Sequence, residues 1–314
     1  MFNLFFYLAY GNIIDMRSYI SRRKYSILKE GVDFYELQEN VNGGTRAKKL
    51  VYIPAVKRKA IFKFDNGKKF RKGEDCSEKL ASEFAKALHY PTAEIDLAES
   101  IIGEPGLLSY LFVDKDRGES HEDMESYLDI NKQNESTEYT IKNMETVFKM
   151  MFSDASFEDF LRILFFDALI GERDRHIGNW GILTKNGKRR VSPLYDTANC
   201  LLTHFQDENY RRRVLAKENG FISFINQNKT AIYRDDSPKN YSPTDSVIDY
   251  LLCHYPEFTK HEIKNLKRLN DGIIENIIKK LPESRMDNEL KRYIVQYVKI
   301  QKDIIIKKGE RNGC

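Results

Sequence analysis

The chain has 314 residues, 41% apolar and 12% aromatic, which is enough to bury a sizeable core and excludes a disordered protein. Its 51 Lys and Arg against 47 Asp and Glu leave a net charge of +4, so no direct nucleic-acid binding is expected. The cysteines at 76, 200, 253 and 314 make no CxxC pair and no zinc spacing, and they read as free thiols of a reducing cytoplasm.

Taken in chain order, Met1 to Tyr10 (MFNLFFYLAY) is strongly apolar but lacks a basic leader and a small-residue cleavage site. It is also shorter than the about 20 apolar residues a bilayer demands, so no transmembrane segment is expected. It reads as a first strand or a docking segment, or as an upstream extension if translation starts at Met16. Gly43, Gly44 and Thr45 then precede Lys48 and an apolar strand, Leu50 to Ile53. Two glycines let backbone N–H groups approach an anion with no Cβ in the way.

Ala60-Ile61-Phe62-Lys63-Phe64 alternates like a half-buried strand and sets Lys63 among bulky apolar neighbours. A lysine so placed reaches nucleotide phosphates only if a carboxylate holds it. Fifteen residues on, Ser77-Glu78 opens a helix with Leu80, Ala81, Phe84, Ala85 and Leu88 on one stripe. Glu78 and Glu83 on this helix are the candidate partners of Lys63. Pro91 to Leu97 and Leu107 to Val113 are further strand candidates, the second ending at an expected hinge. Residues 1–113 thus read as a small β-rich lobe with one key helix, and 114–140 as a polar hinge and connector.

From Ile141 helical periodicity dominates, so 141–314 reads as a larger, mostly helical lobe. Helices are expected at Met144 to Phe152, Phe157 to Ile170, Ser246 to Tyr255, Lys260 to Asn270, Gly272 to Lys280 and Asp287 to Lys307. The stretch from Asp196 to Thr244 is polar, contains Arg211 to Arg213 and two Ser-Pro steps at Ser237 and Ser242, and has the position of an activation segment. Arg22 to Lys24 and the Arg211 cluster read as solvated faces.

The most restrictive string is FFDALIGERDRHIGNWGIL…VSPLYDTANCLL. Asp174 is followed five residues on by Asn179, and a second acid, Asp196, lies beyond a hairpin pattern turning at Asn186-Gly187. That is the layout of a phosphoryl-transfer loop: one carboxylate receives the acceptor proton, while a carboxamide oxygen and a second carboxylate hold Mg²⁺ against the phosphates. Asp174, Asn179 and Asp196 are the catalytic candidates, and Asn179 and Asp196 the metal ligands.

This string resembles the HipA-like branch of the protein-kinase-like superfamily, and the short CtkA-type serine/threonine kinases in particular. The resemblance runs from about Asn40 to the C-terminal helices, and phosphatidylinositol kinases share the DRHxxN string more distantly. It implies an α+β, two-lobed protein-kinase-like fold and an ATP- and Mg²⁺-dependent kinase acting on a protein Ser or Thr and on itself. It further implies that Gly43, Gly44, Thr45, Lys48, Lys63 and Glu78 serve the nucleotide, with hinge residues Leu111 to Val113 on the adenine edge, and that His176 orders the catalytic loop. Val41 stands where well-known HipA members carry a loop serine open to autophosphorylation, and Thr45 is the substitute. Longer HipA proteins are toxins neutralised by an operator-binding partner, so a separately encoded antitoxin-like partner is an expectation. A lipid or small-molecule kinase and a nucleotide-binding pseudokinase are the competing readings.

Overall fold

In a computed structural model of the chain, the described residues are 24–38, 47–65, 73–128, 138–152, 154–233 and 241–312. The apolar opening segment, Val41, Gly43, Gly44, Thr45 and Ser237 lie outside them.

The alternation at Ala60 to Phe64 produces strand β4 (Arg58–Phe64). Ala60 and Phe62 are fully buried on one face, and period two places Ile61 and Lys63 on the other. β4 sits inside a six-stranded sheet with β1 (Ile27–Lys29), β2 (Tyr35–Glu36), β3 (Lys48–Ile53), β5 (Ile95–Glu99) and β6 (Pro105–Tyr110), in the order β1-β5-β6-β4-β3-β2. Only the β1–β5 pairing is parallel. Phe34, Val51, Ile53, Phe62, Ala98 and Leu108 make a separate small core on one side of the sheet.

Helix α1 (Glu74–Ala87) starts three residues before the expected Ser77. Glu74 and Asp75 occupy its first turn, where acidic groups suit the helix dipole. Gly73, at φ +84°, leads in with its N–H on the Asp65 carboxylate. Almost every face of α1 is buried, and its Leu80, Phe84 and Leu88 belong to the core of the helical half rather than to the sheet's own. Arg285 pairs with Asp75, Asn265 donates to the Leu88 carbonyl, and Tyr90 donates to Glu262. The helix is thus shared: Lys79 and Ser82 donate to the Ile95 and Ala93 carbonyls at the sheet, while its two ends are tied to the helical half.

That half contains α2 (Ile141–Met151), α3 (Asp154–Ile170), α4 (Glu208–Leu215), α5 (Gly220–Asn226), α6 (Thr244–His254), α7 (Pro256–Leu266), α8 (Asp271–Lys279) and α9 (Asn288–Arg311). Expectation and structure part at α7, which begins at Pro256 instead of Lys260: proline at the first helical position lacks only an N–H that has no intrahelical partner anyway. Asn270 and Asp287 cap α8 and α9.

The predicted hairpin is β8 (Gly181–Lys185) and β9 (Lys188–Val191), with Asn186 and Gly187 both at positive φ, as a tight primed turn requires. Residues 114–140 are not merely a connector. β7 (Glu119–Asp123) pairs with β8 as an edge strand, and its polar sequence ESHED suits that exposed position. The polar stretch after Asp196 is likewise structured, carrying α4, α5 and β10 (Lys229–Tyr233), which pairs with β11 (Tyr241–Pro243). Arg211 is no solvated side chain: it is buried against Asp287, Glu289 and the Phe205 carbonyl. Among the described residues no helix is long and apolar enough to cross a membrane.

Candidate functional site

Lys63 lies on the face of β4 that looks toward α1 and the second half. Its ammonium donates to Glu78 Oε1 at 2.8 Å and to Asp196 Oδ1 at 3.0 Å. Glu78 is sealed, whereas Asp196 is 41% exposed and at φ +53°, a backbone region that L-residues seldom adopt. Glu83, the alternative partner, pairs with Lys79 and Lys86 instead.

Lys48 stands directly opposite Lys63 in the β3–β4 register, so both side chains share one face. Burial lowers the Lys48 pKa most, and neighbouring Lys63 lowers it further, while Asp196 and Asp123 act against that. Two ammonium groups thus stand beside an open carboxylate, a field suited to a polyanion held together with a cation.

The loop after α3 is fixed mainly through Arg175, which is fully buried. Its guanidinium grips Asp167 through two bonds of 3.1 Å, and Nη1 donates at 2.8 Å to the carbonyls of both Asn179 and Tyr195. One side chain therefore registers the two backbone segments that carry Asn179 and Asp196. The Asn179 amide nitrogen donates to the Asp174 carbonyl at 2.6 Å, which leaves its oxygen as the branch suited to a cation.

Asp174 is exposed, with its backbone N–H held by Glu172 Oε1 at 2.7 Å. Burial pushes the Glu172 carboxyl up to about 8. His176 caps the short turn Ile177–Asn179, its Nδ1 accepting from the Gly178 N–H at 3.1 Å, as expected of a residue that orders the loop.

At the end of β6, the Leu111 N–H donates to the Lys59 carbonyl, so this amide is occupied by the sheet. Val113 follows, half-buried. Between them Phe112 packs with His121 and Tyr195, ring centroids 5.3 to 5.7 Å apart, and Tyr195 Oη donates to Asp123. This trio joins the hinge, β7 and the residue before Asp196. Sequence reasoning included Phe112 only as part of the Leu111 to Val113 hinge and missed His121 and Arg175, since each acts through partners far along the chain. The one available signal was the confinement of Arg175 between Asp174 and an apolar turn.

A nucleotide and Mg²⁺ fit this donor set. Mg²⁺ keeps several waters and takes few protein ligands, all oxygen, and Asn179 and Asp196 would be the residues to supply one each. Among the described residues no group of three or more His, Cys, Asp or Glu is arranged to hold a metal by itself.

Similarity to known proteins follows the same lines. The HipA-like C-terminal domain matches residues 41–284, well over half of the chain. The serine/threonine-protein kinase CtkA of Helicobacter pylori is 27% identical over 110 residues, 32% of this chain and 34% of CtkA, so the matched part is about a third of that protein's length. The crystal structure of the Helicobacter pylori proinflammatory kinase CtkA superposes with a TM-score of 0.70 at 16% identity, covering 87% of this chain and 95% of that one. The HipA, HipB and operator DNA complex of Shewanella oneidensis MR-1 gives 0.51 at 15% identity, covering 95% and 67%. At these identities the structures establish the fold, and the domain match establishes the family: the chain belongs to the HipA-like C-terminal domain family of kinase-fold proteins.

Proposed function

We propose that this protein is an ATP- and Mg²⁺-dependent serine/threonine protein kinase of HipA-like type that also phosphorylates itself. The observation that carries the reading is the three-way contact of Lys63 with Glu78 and Asp196, side chains 15 and 133 residues away in sequence. Lys63, held by Glu78, grips the nucleotide phosphates, and Lys48 adds charge beside it. Asn179 and Asp196 offer oxygens from two backbone segments that Arg175 keeps in register. Bound there, Mg²⁺ supplies charge neutralisation on the phosphate oxygens. Asp174, open to solvent on a backbone fixed by Glu172 and Asn179, orients the acceptor hydroxyl and takes its proton. Phe112 and Tyr195, packed on each other where Leu111 to Val113 pass, would wall the hinge side of the nucleotide.

A protein acceptor is favoured over an anionic lipid headgroup because Arg211, the central cation of the cluster suited to a headgroup, is buried in two ion pairs. The HipB named in the Shewanella complex motivates a separately encoded antitoxin-like partner for this chain as well. Incubating the purified protein with labelled MgATP and protein or lipid mixtures, followed by phosphopeptide mapping, tests the reading. Label is expected on Ser or Thr and absent with Asp174→Ala and Asp196→Ala. Label on lipid alone, or a thermal shift with MgATP and no transfer by any arm, replaces it with one of the competing readings.

A further inference from the structure

We infer that Tyr297, Asn228 and Arg173 form a buried polar brace by which helix α9 positions the Asp174 loop; its kinetic consequence rests on the kinase reading above. Arg173 immediately precedes Asp174, and its Nη2 donates to Asn228 Oδ1. Asn228, 3% exposed, donates in turn from Nδ2 to Tyr297 Oη at 2.7 Å. Both ends of the carboxamide are therefore engaged, and flipping it would turn its amide nitrogen toward the Arg173 guanidinium.

Tyr297 also meets the loop at its root. Gly171, at φ +68°, ends α3, and a Cβ placed there would lie 2.0 Å from Tyr297 Oη. The loop is thus met at Gly171 directly by the Tyr297 hydroxyl and held at Arg173 by hydrogen bonding through Asn228. The Arg173 guanidinium in addition lies 5.2 Å from the centroid of Phe224 on α5. Burial raises the Tyr297 pKa, so the hydroxyl stays protonated and neutral inside the brace. α5 with the turn that follows it, and Tyr297 on α9 69 positions beyond Asn228, thus meet the segment Gly171 to Arg173 just before Asp174. The hydrogen bonds that link the three side chains run to one another and not to Lys63, Asn179 or Asp196, so these are positioning residues.

The test compares Tyr297→Phe and Asn228→Ala with wild type, and adds Asn228→Asp, which keeps an acceptor for Arg173. Tyr297→Phe removes a single oxygen and retains the ring's packing, so it reports even if Asn228→Ala fails to fold. Hydrogen exchange of amides 172–180 is expected to quicken in the first two variants and to stay near wild type in Asn228→Asp. kcat should fall about tenfold or more, as expected when reacting groups are displaced, with KM for ATP unchanged. Unchanged exchange in Tyr297→Phe overturns the brace whether or not the wild type transfers phosphate, and so does unchanged kcat in an active enzyme. Quickened exchange in a protein whose wild type transfers none leaves the brace standing and sinks the kinase reading instead.

Discussion

The ammonium of Lys63 lies 2.8 Å from Glu78, a carboxylate only 1% exposed. Lys63→Met removes the cation that faces this buried charge, so it should cost about 3–5 kcal/mol of stability as well as activity. Glu78→Gln should cost less, because Lys63 keeps Asp196 at 3.0 Å. The Lys63→Met/Glu78→Gln double variant should recover part of the loss while staying inactive. Urea unfolding of all four proteins gives the coupling directly, and additive losses would contradict a mutual dependence.

Arg175→Lys tests the link between the loop and Asp196. Lysine cannot reproduce a fork that grips Asp167 twice and reaches the Asn179 and Tyr195 carbonyls together. The fully buried Asp167 keeps at most part of its pairing, so a loss of about 3 kcal/mol is expected. In the folded fraction kcat should fall much more than the affinity for nucleotide changes, since Lys63 and Lys48 stay on the sheet. Steady-state kinetics alongside nucleotide titration separates the two, and parallel losses would disprove the registering role.

The readable part of this protein was local. The spacing of five residues brought Asp174 and Asn179 forward as candidates, and alternation showed the strand that carries Lys63, so for these elements one-dimensional pattern sufficed. Glu78 over Glu83 was a choice between two positions on one helix, and the side each presents to β4 decides it. What escaped depends on distant partners. Arg175 could not be placed because its acceptors come from Asp167, Asn179 and Tyr195 at once. β7 looked like linker because an edge strand paired on one side needs little apolar sequence. The ties of α1 to the helical half were not legible, because Asn265 and Arg285 lie about 180 to 210 positions downstream of the residues they hold.

Gly171→Ala should be among the most damaging single-methyl changes here. The new Cβ meets Tyr297 Oη at 2.0 Å and Asn228 Nδ2 at 3.1 Å, and φ of +68° strains any L-residue. Strain and overpacking together should cost about 3 kcal/mol or more. Combining it with Tyr297→Phe removes the clashing oxygen and should return most of the steric share, leaving the φ strain of about 1 kcal/mol, the 3.1 Å approaches to Tyr297 Cζ and Asn228 Nδ2, and the lost Asn228–Tyr297 hydrogen bond. Thermal and urea unfolding of the single and double variants checks this; a double variant no more stable than Gly171→Ala would mean the hydroxyl is not what fills that space.

Glu172 makes stability depend on pH in a defined direction. Burial is the largest cause of its rise from an ordinary value of 4.5 to about 8, with Asp167 and Asp174 adding to it against Arg175 and the Asp174 amide. Between those two values the folded chain holds a proton that the unfolded chain has released. Stability contributed by this group is therefore complete below about pH 4.5, declines as pH rises through about 8, and is flat above. Glu172→Gln keeps an oxygen for the Asp174 N–H and cannot ionise. Relative to wild type it should gain on the order of a few kcal/mol above pH 8 and nothing below pH 4.5. Urea unfolding of both proteins at pH 5 and pH 8.5 measures the difference. Parallel profiles would mean that Glu172 is charged inside the fold, held by Arg175 strongly enough to cancel its burial.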